Sequence, residues 1–188
     1  MGQDRRVKLN PGGLKDKHSI EADFHDRKAK YWKELVWYRM ECLKLVHKYA
    51  TSLLGDINGK IVIDFGTRRG DNALYFAELG AQVYAFDISK EMINIASRRK
   101  IEKRINNLHI EEMAAENLRY PSNFADYIFG GAVLHHTMLS HTRREVHRVI
   151  KPGGQAVFIE PLNHNPLIKL FRMLLPSYRS STEMPLRF

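Results

Sequence analysis

The chain has 188 residues, 44% of them hydrophobic, which is enough to bury one core and too little for two ordinary domains. Lys and Arg number 30 against 21 Asp and Glu, a net charge of +9, so the surface attracts anions, nucleic acid or acidic lipid, while the single cysteine, Cys42, excludes an intrachain disulfide and fits a reducing compartment. No apolar run approaches the roughly 20 residues of a membrane span, and the opening MGQDRRVKLNPGG lacks a signal-peptide core, so a soluble cytoplasmic protein is expected.

Residues 1–18 are polar and broken by Asn10, Pro11, Gly12 and Gly13, which predicts a flexible arm. A helical segment is expected over 19–58. In it Trp32, Val36, Met40, Leu43, His47, Ala50 and Leu54 recur at spacings of three and four, the stripe of one long helix that Gly55 ends. Core packing is the plain use of such a stripe; lining a substrate cleft is the other.

Residues 59–162 alternate strand and helix. Strands are predicted at Ile61 to Phe65, Gln82 to Phe86, His109 to Met113, Tyr127 to Gly130 and Gln155 to Glu160. Helices are predicted at Asp71 to Leu79, Lys90 to Lys103 and Arg143 to Ile150, with Lys151, Pro152, Gly153 and Gly154 making the turn from the last helix into the last strand. This rhythm predicts an α/β fold, a Rossmann-like doubly wound parallel sheet of about five strands with N-terminal helices. Residues 163–188 supply one short helix, Pro166 to Leu175, and a tail without a further strand.

Ligands of such sheets sit at the carboxyl ends of the strands. The stretch Val62 to Gly70, VIDFGTRRG, places Asp64, Gly66 and Gly70 at one such end, in a turn that lets a nucleoside lie against the backbone. Arg68 stands where a middle glycine would make the turn cheapest, and a positive φ there costs an arginine roughly 1 to 2 kcal/mol. Asp87 closes the second strand, where a carboxylate can accept bonds from both ribose hydroxyls or can cap the helix beginning near Ser89. The GxGxxG and GxxxxGK patterns are absent, which argues against nicotinamide and polyphosphate ligands.

Four segments in order carry a resemblance: VIDFGTRRG, VYAFDIS, AAENLRYPSNFADYIFGGAVLHH and EVHRVIKPGGQAVFIEP. Over roughly Lys60 to Pro161 the chain resembles the class I S-adenosylmethionine-dependent methyltransferases, in particular the small-molecule branch called methyltransferase type 11. The resemblance implies S-adenosylmethionine as cofactor, with Gly66 and Gly70 near its amino acid and ribose portions and Asp87 on the ribose hydroxyls. Asp64, Thr67, Ile88, Ala115, Glu116 and Gly131 complete the implied cofactor set, and no metal is implied. Methyl transfer from a sulfonium is an in-line displacement that asks mainly for placement, with a base where the nucleophile carries a proton. His135 and His136, in a segment that faces the substrate in the family, are the candidates for that base; packing and loop hydrogen bonding are the alternative for both.

The chain departs from the family in three places. Arg68 replaces the usual glycine, and Ala114 stands where an aspartate commonly holds the adenine amino group, leaving Glu116 or Asn117 to substitute if the loop shifts. Family members also continue with two more strands; here either the chain is a fragment of a longer protein or the fifth strand is an open edge, covered by the tail or by a second copy in a homodimer. Arg98, Arg99, Lys100, Lys103 and Arg104 crowd one helix, with Arg143, Arg144 and Arg148 on another, either solvated faces or a phosphate-binding patch. The expected function is methyl transfer to a small-molecule acceptor. A catalytically degenerate relative with a binding role and an RNA methyltransferase or RNA-binding module are the alternatives.

Overall fold

Strand β1 (Ile61–Phe65) is buried from Val62 onward, as only a strand covered on both faces can be. The computed structural model describes residues 13–31 and 41–161, with 165, 166, 170, 173, 174, 180–184 and 186 beyond them. In it β1 is the middle of a five-stranded parallel sheet with β2 (Gln82–Asp87), β3 (Leu108–Glu112), β4 (Ala125–Gly131) and β5 (Ile150–Ile159), in the order β3-β2-β1-β4-β5. The order reverses at β1, where Phe65 lies level with Phe86 of β2 on one side and Gly130 of β4 on the other. The carboxyl ends of these three strands therefore diverge around one crevice.

Alternation along the strands builds two cores. Val62, Val83, Ala85, Leu108 and Phe129 face one side, under α2 (Glu41–Ser52) and α3 (Asp71–Glu78). Ile63, Phe65, Phe86 and Ile128 face the other, against Val149 of α5 (Leu139–Val149) and Met113, Leu118 and Tyr120 from the segment after β3. Helix α4 (Lys90–Glu102) is capped by Ser89, whose hydroxyl accepts the Met92 amide at 3.2 Å.

Helix α1 begins at Gly13, within the stretch expected to be a flexible arm, and runs to Tyr31. Packing overrides the poor local signal there: Lys17 is buried and its Nζ donates to the Thr182 carbonyl at 2.8 Å. Further along, Asp26 accepts the Glu91 amide at 3.2 Å and the Ser89 hydroxyl, which docks α1 on the N-terminus of α4, where a carboxylate is favoured. In α2, Ala50 is buried and His47 packs its ring on Phe129, with buried Leu54 just beyond, as the stripe foretells. Trp32, Val36 and Met40, and with them the continuity of the expected long helix, lie outside the described residues, as does the side chain of Leu43.

The KPGG segment is not a turn from helix into strand. β5 already starts at Ile150, opposite Ala125, and the pairing resumes with Gln155 opposite Tyr127, so residues 151–154 bulge out of the strand with Gly153 at φ 80°. Lys151 anchors the bulge by donating to Asp126 Oδ1 at 2.8 Å. Helix α5 likewise begins at Leu139 rather than Arg143, because Glu116 holds the Met138 amide just before it at 2.7 Å. The helix expected over 166–175 lies largely outside the described residues. Among the described residues no strand pairs with the outer edge of β5, and no helix is long and apolar enough to cross a membrane.

Candidate functional site

The turn after β1 is shaped from beneath. Gly66 has φ 71°, and a Cβ there would stand 2.6 Å from Val133 Cγ2, so both backbone and space demand glycine. Thr67 donates its amide to the Phe86 carbonyl at 2.8 Å and its hydroxyl to Asp64 Oδ2 at 2.5 Å. Burial pushes the Asp64 carboxyl up to about 7. Gly70, at φ 79°, starts α3 and would bring a Cβ to 3.1 Å from that of Ala96. Asp64, Thr67 and Gly70 thus form the turn and do not line the crevice.

Arg68 adopts the left-handed conformation, at φ 50°. Its amide donates to Asp87 Oδ2 at 2.8 Å, and its guanidinium reaches across to donate to the Gly131 carbonyl at 2.9 Å. Asp87 Oδ1 accepts the Ser89 amide at 2.9 Å, so the carboxylate steadies both loops while each oxygen keeps a further lone pair for a ligand. Burial raises the Asp87 carboxyl, and the two amide bonds and Arg68 oppose that rise.

A cleft opens above this floor. Of the residues singled out by sequence, Gly66, Asp87, Ile88, Ala115, Glu116 and His136 line it together with Arg68. Gly131 and His135 stand behind it, Gly131 reaching it only through the carbonyl that Arg68 occupies. The free interior is about 60 Å³, room for a few water molecules, with Arg68, His25 and His136 standing in its walls. Ala132, on the same wall, is a second non-glycine residue in the left-handed region, at φ 52°, so two strained residues border one cleft.

The two adjacent histidines part ways. They belong to a single 3-10 turn, Leu134–His136, pinned by Glu160, whose Oε1 accepts the Val133 and Leu134 amides at 2.8 Å each. Glu160 Oε2 meets His135 Nδ1 at 2.6 Å, a buried pair that leaves His135 no access to the cleft. His136 faces inward, its ring 5.0 Å from that of His25. Burial is the main force on both inward imidazoles and brings each down to about 4, with Arg68 adding to the effect on His25 and His135 to that on His136.

The cleft wall supplied by α1 was missed by sequence reasoning. His18, Glu21 and His25 recur at spacings of three and four and share one face of the helix. That polar spacing is the signal the sequence offers for this face. Burial opposes the charge on Glu21, but the His136 ring and the Ser180 and Thr182 hydroxyls outweigh it and hold the carboxyl well below the usual range. Glu116 is occupied too, by His18 Nε2 at 2.9 Å and the Met138 amide at 2.7 Å, and these contacts overcome burial to keep it low. Several residues of the basic patches are paired: Arg99 with Asp71 and Lys103 with Glu78 at the surface, and Arg148 with Glu145 and the carbonyls of Leu118 and Tyr120.

Residues 63–158 match the family model described as a methyltransferase domain. Over 123 residues the chain is 33% identical to a demethylmenaquinone methyltransferase from Chlorobaculum parvum, covering 61% of this chain and 49% of that protein. It is 31% identical over 100 residues to the uncharacterized methyltransferase YcgJ of Bacillus subtilis, covering 53% of this chain and 40% of that one. The chain thus spans about half the length of the curated relatives it matches. The crystal structure of YcgJ superposes with a TM-score of 0.63 at 26% identity, over 74% of this chain and 62% of that one. A Haemonchus contortus phosphoethanolamine N-methyltransferase gives 0.65 at 21% identity, over 75% and 33% of the two chains, a likeness of fold alone.

Proposed function

The chain belongs to the S-adenosylmethionine-dependent methyltransferases, and on that premise we propose that it transfers a methyl group to a small-molecule acceptor held between α1 and the turn after β4. The observation that carries this reading is Asp87, which stands at the end of β2 beside Gly66, at the point where the strand order reverses. Its carboxylate has lone pairs left for two hydroxyls after serving two amides. Gly66 puts no side chain in the way, and above Gly131 the nearest atom to a built Cβ is Asn72 Nδ2 at 4.0 Å. At these two glycines the backbone leaves room for the cofactor, and the Arg68 side chain must leave the cleft to admit it.

When bound, S-adenosylmethionine supplies an electrophilic methyl on a sulfonium, so the protein's work is placement. In this reading Asp87 holds the ribose hydroxyls, and Ile88 and Ala115 offer apolar walls. His136 is uncharged at neutral pH and can accept a proton from the acceptor, while Glu160 and His135 position its turn. The small-molecule substrate in the name of the C. parvum relative supports this class of acceptor.

Calorimetry with S-adenosylhomocysteine in metal-free buffer tests the reading. One site per chain is expected, lost in Asp87→Ala with the fold preserved by circular dichroism; no binding at millimolar ligand would reject it. One observation favours a second reading, a fold kept for binding rather than catalysis: the Arg68 guanidinium bonded across to Gly131 leaves little free space. That reading predicts an inert wild type whose ligand binding appears only in Arg68→Gly.

A further inference from the structure

We propose that Glu21, His25 and His136 form a binding site for a divalent transition-metal ion, Zn²⁺ in the first instance, in the wall of the cleft. One ligand atom from each lies within 4.8 Å of the other two. Glu21 and His25 are one helical turn apart on α1, and His136 comes from the turn after β4, so the fold and not the sequence brings them together. Glu21 Oε2 is 3.1 Å from His136 Nδ1 and 3.8 Å from His25 Nε2. An ion about 2.0 to 2.2 Å from nitrogen and oxygen ligands needs those ligands about 3 to 4 Å apart.

The hydrogen-bond inventory points the same way. Glu21 Oε2 and His136 Nδ1 are buried and neither completes a hydrogen bond, although they face each other. Two adjacent buried polar atoms that meet at 3.1 Å without completing a hydrogen bond leave a place for a group that would satisfy both. The other carboxylate oxygen, Oε1, accepts the hydroxyls of Ser180 at 2.6 Å and Thr182 at 2.5 Å, contacts that turn Oε2 toward the imidazoles as outer-shell partners turn a metal ligand. Two histidines and a carboxylate are a donor set suited to zinc, and since all three line the cleft, the remaining coordination positions open into it. Lys17, 3.6 Å from Glu21 Oε1, Arg68 and Lys28 are positive charges the ion must face. With an ion bound, His136 would be a ligand and would not be available to accept a proton.

This site goes beyond the proposed methyl transfer and stands without it. The test is calorimetry of the full chain with zinc chloride, with the visible absorption of added Co²⁺ as a second readout. One equivalent bound at micromolar affinity or tighter is expected, with a Co²⁺ spectrum of low symmetry. His25→Ala and His136→Ala, each folded by circular dichroism, should weaken binding at least about tenfold, whereas His147→Ala should not. Arg68→Gly should tighten it by removing a facing charge. Absence of stoichiometric binding, or affinity unchanged in both histidine variants, would overturn the site. Glu21→Gln also loosens the contacts to Ser180 and Thr182, so the histidine variants decide.

Discussion

Asp87 accepts the backbone amide of Arg68 at 2.8 Å, so the carboxylate proposed to hold a ribose is also the clamp that holds an arginine at φ 50°. The two roles are coupled. Asp87 offsets the strain of Arg68, whose amide opposes the effect of burial on that carboxylate, while the guanidinium lies over the Gly131 carbonyl on the floor of the cleft. A ligand must displace the side chain without disturbing the amide.

Arg68→Gly separates these effects. Relief of the left-handed strain, about 1 kcal/mol, is offset by loss of the guanidinium bond, so stability in urea should change by less than about 1 kcal/mol. Affinity for S-adenosylhomocysteine should rise about tenfold, the equivalent of one displaced hydrogen bond. Unchanged or weaker affinity by calorimetry would mean that the arginine contributes to the ligand's site.

Asp64→Asn tests the buried carboxyl beneath the turn. Its native pKa is raised from 3.8 to about 7, so the folded state holds a proton that the unfolded state releases between those values. Its stabilising contribution is present below pH 3.8 and is lost as pH rises through about 7. Asparagine keeps an acceptor for Thr67 and carries no charge, so the variant should gain up to a few kcal/mol relative to wild type at pH 8 and little at pH 4. Urea titrations at the two pH values measure the difference.

The inward histidines have the opposite sign. His25 and His136 fall from 6.5 to about 4 on folding, so the unfolded state binds more protons in that window. Their contribution is present above pH 6.5 and is lost as pH falls through 4, by at most about 3 kcal/mol for each. Glu21, lowered by folding, adds to the loss at still lower pH. His136→Gln should flatten the slope of stability between pH 6.5 and 4, read from thermal melts across that range.

The outer edge of β5 bears on assembly. An unpaired parallel edge recruits another strand where nothing covers it. Light scattering coupled to size exclusion should show a dimer population growing with concentration, reduced by a proline at the exposed Ala156 of β5, whose amide points away from β4. A monomer at every concentration would assign the edge to cover from within the chain.

Much of this fold was legible in local pattern. Short apolar runs ending in Asp64 and Asp87, with helices between them, read as parallel strands because burial on both faces demands continuous apolarity and short connections leave one handedness. Gly66 and Asp87 were legible for the same reason: a tight turn and a strand end each place a strict demand on one residue. Where local signals were weak the reading slipped. Gly13 to His18 looked like an arm, since the contacts that make that turn of helix worthwhile, Lys17 with Thr182 and His18 with Glu116, lie far along the chain.

By itself, then, the sequence determined a doubly wound sheet with a nucleoside-type turn and a carboxylate at the next strand end, features written in residues near one another along the chain. Only the tertiary structure decided that His135 is bound to Glu160 while His136 faces the cleft, that Arg68 reaches Gly131, and that Glu21 and His25 meet His136 across more than a hundred residues. Such contacts depend on how helices settle on the sheet, a sum of many packing terms that no short motif encodes.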